Sequence, residues 1–269
     1  MNRKAVAKET LEILKNGFYI WNNKKIQIEP MHKNSIENSH YIAPEEKLEQ
    51  EVTKTDRQSC GIYVDACQTV RAILNTVHVK KEKIGVLNFA SAKNPGGGFL
   101  NGAMAQEESL AASSGLYDTL TAHWEYYEKN RNTRSMMYTD GAIYSPDVVF
   151  FRNEKFELLE TPVLASVLTL PAVNYGQVLL KGEDSNLAKQ KMKIRMERSL
   201  QIFKKEGAKN LILGAYGCGV FQNDPHDVAN WWKELLEKGY QKDFESICFA
   251  IFDRSESKEC LRAFSIFTN

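Results

Sequence analysis

The chain has 269 residues, 43% hydrophobic and 26% charged, with 35 Lys and Arg against 34 Asp and Glu. That length and balance suit one large globular domain, or one domain with a sizeable extension, and exclude global disorder. A formal net charge of +1 creates no long-range field to gather DNA or an anionic membrane, so a phosphate-bearing ligand must be held by local groups.

At the N-terminus, MNRKAVAKETLEIL breaks its apolar residues with charges every few positions and lacks the continuous apolar core of a signal peptide. The longest weakly polar run, Pro162 to Val173, is too short to span a bilayer. Val6, Thr10, Ile13 and Leu14 recur at helical spacing and predict a helix over 3–16 that stops at Gly17, a natural left-handed cap. YIW and IQI flank Asn22 to Lys25 and read as a hairpin, whereas residues 30–58 are polar, mostly without period, and read as a long surface segment. The expected organisation is an N-terminal accessory segment, 1–58, packed on a core of 59–269.

From Gly61 the pattern becomes regular. Tyr63, Cys67, Val70 and Leu74 predict a helix, and IGVLNFA at 84–90 is a short apolar run suited to a buried strand. Further strands are predicted at 147–151, 163–170, 211–215 and 247–252. Met192, Met196, Leu200 and Phe203 form one helical stripe ended by Gly207; Val228, Trp231, Trp232, Leu235 and Leu236 form another, opened by Asp224-Pro225 and closed by Gly239. Such alternation predicts an α/β fold, a mainly parallel sheet with helices on both faces, whose ligands bind beyond the carboxyl ends of the strands.

Two strand ends carry glycine loops. NFASAKNPGGGFLNGAMAQEESL leaves the strand at 84–90 through Gly96, Gly97 and Gly98 and enters a helix near Ala105. GAYGCGVFQNDP leaves the strand at 211–215 through Gly214, Gly217 and Gly219 and enters the helix near Pro225. Backbone N–H groups at such loops bind anions without basic side chains, and two loops could grip a diphosphate from both sides. No GxxxxGK[ST] occurs, and the apparent GxGxxG of Gly217 and Gly219 has Gln222 where the third glycine belongs, which disfavours a kinase-like NTPase and an ordinary dinucleotide dehydrogenase.

His32, His40, His78, His123 and His226 are scattered without an HExxH, and the five cysteines, an odd number with no CxxC, argue against a disulfide framework and a thiolate zinc site. No metal and no cofactor is expected, and a reducing cytoplasm is the simplest setting. Cys218 with His226 could form a thiol and base, but a cysteine inside a glycine loop is as easily just a small side chain.

Glu107 and Glu108 follow Gln106 at the start of the helix near Ala105, whose inner face is expected to include Leu110, Tyr117 and Leu120. Adjacent helical residues point roughly 100 degrees apart, so the two carboxylates cannot flank one bond from opposite faces and must have different jobs. By itself an acidic pair in a first helical turn is dipole compensation.

The spacing of Gly96-Gly97-Gly98 and Gln106-Glu107-Glu108 nevertheless resembles the signature of the poly(ADP-ribose) glycohydrolases, GGG followed several residues later by QEE. The wider stretch LNFASAKNPGGGFLNGAMAQEESL is similar to the bacterial-type branch of that family, as are AKETLEILKNGFY, YSPDVVFFRN, GAYGCGVFQNDP and FAIFDRS, with residues 30–58 the weakest match. This resemblance implies a macrodomain-like three-layer α/β/α sandwich with a mixed, mostly parallel sheet and the accessory segment. It implies Glu108 as the catalytic acid/base and Glu107 as a neighbour that positions ribose hydroxyls. Gly96, Gly97 and Gly98 would lie near the scissile linkage with Gln106, Asn94 would contact the distal ribose, and Gly217, Cys218, Gly219, Val220 and Phe221 would form the diphosphate loop.

The expected activity is hydrolysis of ribose–ribose O-glycosidic bonds to release ADP-ribose. Expected partners are ADP-ribose, poly(ADP-ribose) and ADP-ribosylated proteins, with no direct DNA binding, no membrane and a monomeric chain. Alternatives are a hydrolase of mono-ADP-ribosylated protein or an ADP-ribose derivative, and a non-catalytic ADP-ribose reader; a reader has no use for a glutamate at the scissile bond.

Overall fold

The computed structural model describes residues 2–48, 60–80 and 82–268. Helix α1 (Arg3–Asn16) begins where the Asn2 side chain accepts from the N–H groups of Lys4 and Ala5, and ends at Gly17, whose φ of 73° and N–H bond to the Ile13 carbonyl make the expected left-handed cap. The hairpin β1 (Phe18–Trp21) and β2 (Lys24–Gln27), then α2 (Glu29–Asn38) and β3 (His40–Ile42), complete the described part of the N-terminal segment. There follow β4 (Gly61–Asp65), α3 (Thr69–Val79), β5 (Ile84–Ala90), α4 (Gln106–Ser113), α5 (Leu116–Thr121), α6 (Trp124–Asn132), β6 (Ala142–Arg152) and β7 (Leu158–Pro171). The chain continues through α7 (Tyr175–Leu180), α8 (Ser185–Lys205), β8 (Asn210–Leu213), α9 (Pro225–Glu237), β9 (Ser246–Ala250) and α10 (Glu259–Phe264).

Seven strands form one mixed sheet in the order β3-β6-β7-β5-β8-β9-β4. The pairs β3/β6 and β6/β7 are antiparallel and the remaining neighbours parallel. Period-two alternation along the central strands divides the core in two. Val86, Val167, Ile212 and Cys248 pack with Ile73 of α3, Leu110 of α4, Leu116 and Leu120 of α5 and Tyr126 of α6. Leu87, Leu168, Leu213 and Phe249 pack on the other face with the α8 stripe Met192, Met196, Leu200 and Phe203 and the α9 stripe Val228, Trp232, Leu235 and Leu236. Burying each such large apolar side chain contributes about 1.5–3 kcal/mol. The result is the expected three-layer sandwich.

Several local expectations differ. Tyr63 lies in β4, paired in register with Cys248 of β9, so its apparent helical spacing with Cys67 is coincidental and the helix starts only at Thr69. The segment from residue 30 is not all surface loop: α2 and β3 occupy its first part, β3 as an edge strand on β6. The buried residues of α2 are polar, with Ser35 donating to the Pro146 carbonyl at 2.6 Å and His32 bonding Asp118 at 2.9 Å, so apolar periodicity could not reveal that helix. Residues 49–58 of that expectation lie outside the described residues. The strand expected at 147–151 extends back to Ala142 because an irregularity between Ser145 and Val148 carries it past Pro146. Tyr117 and Leu120 belong to the separate helix α5, because α4 ends at Ser113.

Helix α1 braces the segment that carries the glutamates. Val6 and Ala7 pack on Phe99, Ala111 and Ala112, and Thr10 Oγ1 donates to the Ala112 carbonyl at 2.8 Å. Arg152, 3% exposed, donates to Glu9 Oε2 and to the Phe156 carbonyl, both at 2.8 Å.

Candidate active site

The loop after β5 turns at Gly97, whose N–H donates to the Asn94 carbonyl at 2.9 Å and whose φ is 59°. A Cβ at Gly97 would overlap Glu108 Oε1 and come within 3.1 Å of Glu107 Oε2. The carboxylates of two adjacent residues therefore converge beside a residue that must lack a side chain. The glycine run serves the protein's own packing as well: a Cβ at Gly98 would lie 2.6 Å from that of Ala103.

Glu108 is half-buried. Its Oε1 accepts from Gly98 N at 2.8 Å and its Oε2 from Ala105 N at 2.9 Å. The second bond is half of a capping box, made from the third residue of α4 to the residue before the helix; Ala105 has no side-chain oxygen to return it. Loop and helix start thus hold one carboxylate between them while it still lines the cleft.

Glu107 is 2% exposed. Its Oε2 accepts from Ser91 N at 2.6 Å and its Oε1 from Asn88 Nδ2 at 3.3 Å. Burial pushes its carboxyl up to about 8, against the lowering effect of bonds from Ser91, Asn88 and Gly96, and the neighbouring Glu108 charge adds to the rise. Burial thus favours the neutral acid form of Glu107. Asn88 Nδ2 also donates to Thr169 Oγ1 at 3.1 Å, while among the described residues its buried Oδ1 has no partner. Gln106 faces β5, accepting from Phe89 N and donating to the Leu87 carbonyl, both at 2.8 Å. Its amide ties α4 to the strand, so its polar atoms are already paired.

The second loop follows β8, which pairs with β5, so the two glycine loops emerge side by side. Asn223 Nδ2 closes this loop, donating to the carbonyls of Val173 at 2.8 Å and Gly217 at 3.0 Å. Among the described residues, the N–H groups of Gly219, Val220 and Phe221 have no protein acceptor. Val220 is 83% exposed, and a Cβ at Gly219 would meet nothing within 4 Å. Burial pushes the Cys218 thiol well above its ordinary range, and Sγ donates to the Tyr216 carbonyl at 3.7 Å, so Cys218 is a packed thiol and not an activated nucleophile.

Both loops line a cleft of about 1150 Å³ with Asn94, Glu107 and Glu108, beyond the carboxyl ends of the parallel strands. Sequence reasoning assigned no role to its third wall, Phe252 to Ser255 after β9 and Gln68-Thr69 at the start of α3. Phe252 is 47% exposed, with the Arg254 guanidinium 4.6 Å from its ring centre, and Asp253 accepts from Ser255 N and Cys260 N, both at 2.9 Å. The available signal was the strand-end rule applied to FAIFDRS. Among the described residues, no group of three or more His, Cys, Asp or Glu is placed to hold a metal ion, and no helix is long and apolar enough to cross a membrane.

The model of the microbial-type poly(ADP-ribose) glycohydrolase (PARG) catalytic domain matches residues 7–153. The chain belongs to that family. With it, the chain belongs to the glycosidic-bond hydrolases. The crystal structure of PARG from Thermomonospora curvata shares 34% identity over 98% of each chain, with a TM-score of 0.93. The same enzyme bound to the inhibitor ADP-HPD matches at 33% identity, 98% of each chain and a TM-score of 0.89. PARG from Deinococcus radiodurans in complex with ADP-ribose shares 36% identity, covering 90% of this chain and 98% of its own, with a TM-score of 0.81. No curated protein sequence matches. The family match covers α1 from residue 7 onward, the first glycine loop and both glutamates.

Proposed function

We propose that this chain hydrolyses the ribose–ribose O-glycosidic bonds of poly(ADP-ribose) and releases ADP-ribose, with Glu108 as the acid/base. The observation that carries the reading is the convergence of Glu107 and Glu108 on Gly97, in a cleft shared with a loop in which, among the described residues, the N–H groups of Gly219, Val220 and Phe221 have no protein acceptor. The N–H groups of Gly219, Val220 and Phe221 bind the diphosphate, and the distal ribose reaches the glutamates under Asn94. With substrate bound, Glu108 carries a proton taken up from solvent and gives it to the departing ribose oxygen as the bond to the anomeric carbon breaks. The resulting carboxylate takes a proton from the water that attacks the oxocarbenium-like centre, which returns Glu108 to its starting form. Glu107, neutral and anchored through Asn88 and Ser91, orients a ribose hydroxyl without adding a second negative charge.

The division into an N-terminal segment, 1–58, and a 59–269 core is part of the proposal: α1 braces the back of α4, while β3 of that segment joins the core's sheet as an edge strand. A reducing cytoplasm and a monomeric chain complete the proposal; all five cysteines are free, which supports the first.

Incubation with poly(ADP-ribosyl)ated protein and measurement of free ADP-ribose tests the reading. Wild type is expected to release it, and Glu108→Gln to lose about 10²-fold or more of the turnover while ADP-ribose affinity stays within about tenfold. Equal rates for the two proteins would remove the acid/base role from Glu108, and binding without release by wild type would leave a reader.

A further inference from the structure

A strip of aromatic and cationic side chains leaves the cleft at its glutamate end, and the mechanism above does not use it. From Phe221, which lines the cleft, the ring of Tyr138 is 6.1 Å away, and Lys93 Nζ lies 5.9 Å from the centre of that ring. The next residue, Asn94, also lines the cleft, and its Oδ1 accepts from Arg131 Nη2 at 3.4 Å. The Arg131 guanidinium lies 4.6 Å from the ring centre of Trp124, which is 49% exposed and backed by buried Tyr127 at 5.9 Å. Two cation–aromatic pairs therefore flank Lys93-Asn94, within the turn that delivers Gly97 to the carboxylates. Neither Lys93 nor Arg131 has a carboxylate partner among the described residues.

Soluble proteins have little reason to keep a half-exposed tryptophan layered with an unpaired guanidinium, whereas nucleotide-binding surfaces use this combination: aromatic faces stack bases, and cations meet phosphates. The strip also joins the cleft at Asn94, in the turn that carries Gly97 to the two carboxylates. On the reading proposed above, the departing oxygen belongs to a ribose of the adjoining ADP-ribose unit, which carries an adenine and a diphosphate of its own.

We infer that the strip Tyr138, Lys93, Arg131 and Trp124 binds the ADP-ribose unit on the leaving-group side of the scissile bond. Its adenine stacks on the exposed aromatic surface, and its diphosphate sits between Lys93 and Arg131. The chain thereby recognises two successive units of the polymer.

This inference rests on the proposed function, and a binding measurement separates the two. Affinities for a two-unit ADP-ribose oligomer and for ADP-ribose are measured by calorimetry in Glu108→Gln, which prevents turnover, and in the same protein carrying Lys93→Glu and Trp124→Ala. The added substitutions are expected to weaken the oligomer about tenfold and leave ADP-ribose unchanged. The salt dependence of oligomer binding should also become shallower, because one phosphate contact is removed. Unchanged oligomer affinity would overturn the inference, as would parallel loss of both ligands. Equal weakening toward a mono-ADP-ribosylated protein would overturn it in favour of a carrier-protein contact. Failure of the wild type to hydrolyse polymer would sink the proposed function and leave this binding comparison standing.

Discussion

The two glycine loops look alike in sequence and follow neighbouring strands, yet their glycines answer different demands. At Gly97 the space for a side chain is filled by the protein's own carboxylates, and the backbone sits at φ 59°. At Gly219 the space is empty to 4 Å and the nearby N–H groups are unclaimed. One loop is closed by folding around the carboxylates, while the other leaves three N–H groups without a protein acceptor among the described residues, open to the ligand proposed above. A glycine therefore reports close approach, but not whether the approaching atom is internal or external.

Gly97→Ala should break the first half of that contrast most severely. The methyl displaces Glu108, and misplacement on that scale costs about 10²-fold in turnover. A non-glycine residue at this φ also destabilises by about 1–3 kcal/mol. Single-turnover kinetics and urea melts read the two effects separately; near-normal turnover would mean that the carboxylates can move without consequence.

Gly219→Val tests the other half. Stability should stay within about 0.5 kcal/mol, as for an exposed site without strain, while ADP-ribose binding weakens about tenfold, or about 1.4 kcal/mol. Intact affinity in calorimetry would reduce Gly219 to an ordinary turn residue.

Glu107→Gln sharpens the account of the closed loop. The folded carboxyl is raised to about 8 from an ordinary 4.5, so below about 4.5 both folded and unfolded forms hold the proton and its stabilising contribution is complete. Between those values only the folded form holds it, and stability falls by up to about 1.4 kcal/mol per pH unit as pH rises through about 8. Gln mimics the neutral acid, so the variant's thermal midpoint should fall less between pH 6 and 9 and exceed that of wild type at pH 9. Parallel pH curves would show that Glu107 is ionised in the folded protein.

The smallest effect is expected from chelation. Glu107 and Glu108 each accept a backbone N–H on their catalytic-side loop, from Ser91 and Gly98, and a carboxyl with water suffices for the proposed steps. Turnover should survive exhaustive EDTA treatment, measured as ADP-ribose release. Loss restored by a divalent ion would contradict that scheme.

Legibility followed the kind of signal each element carries. The apolar stripes of α8 and α9 and the run of β5 were readable because burial imposes periods of about 3.6 and 2 on apolar residues. Strand β4 and helix α2 were not: β4 is half-buried at an edge, and α2 turns His32 and Ser35 inward to polar partners. In the site, Glu107 and Glu108 were readable from a spaced motif. Asn88, Ser91 and the 252–255 wall were not, because Asn88 and Ser91 act through Glu107, brought to them by α4, and the wall reaches the cleft from a distant part of the chain.

The sequence by itself determined the α/β class, the two glycine loops and the carboxylate pair, since these rest on local spacing and chain order. Only the tertiary structure decided that Glu107 is the buried member, its neutral form favoured, and Glu108 the one held by two backbone N–H groups in the cleft. Desolvation and hydrogen bonding depend on what surrounds a group in space, and adjacent identical residues carry no record of that difference.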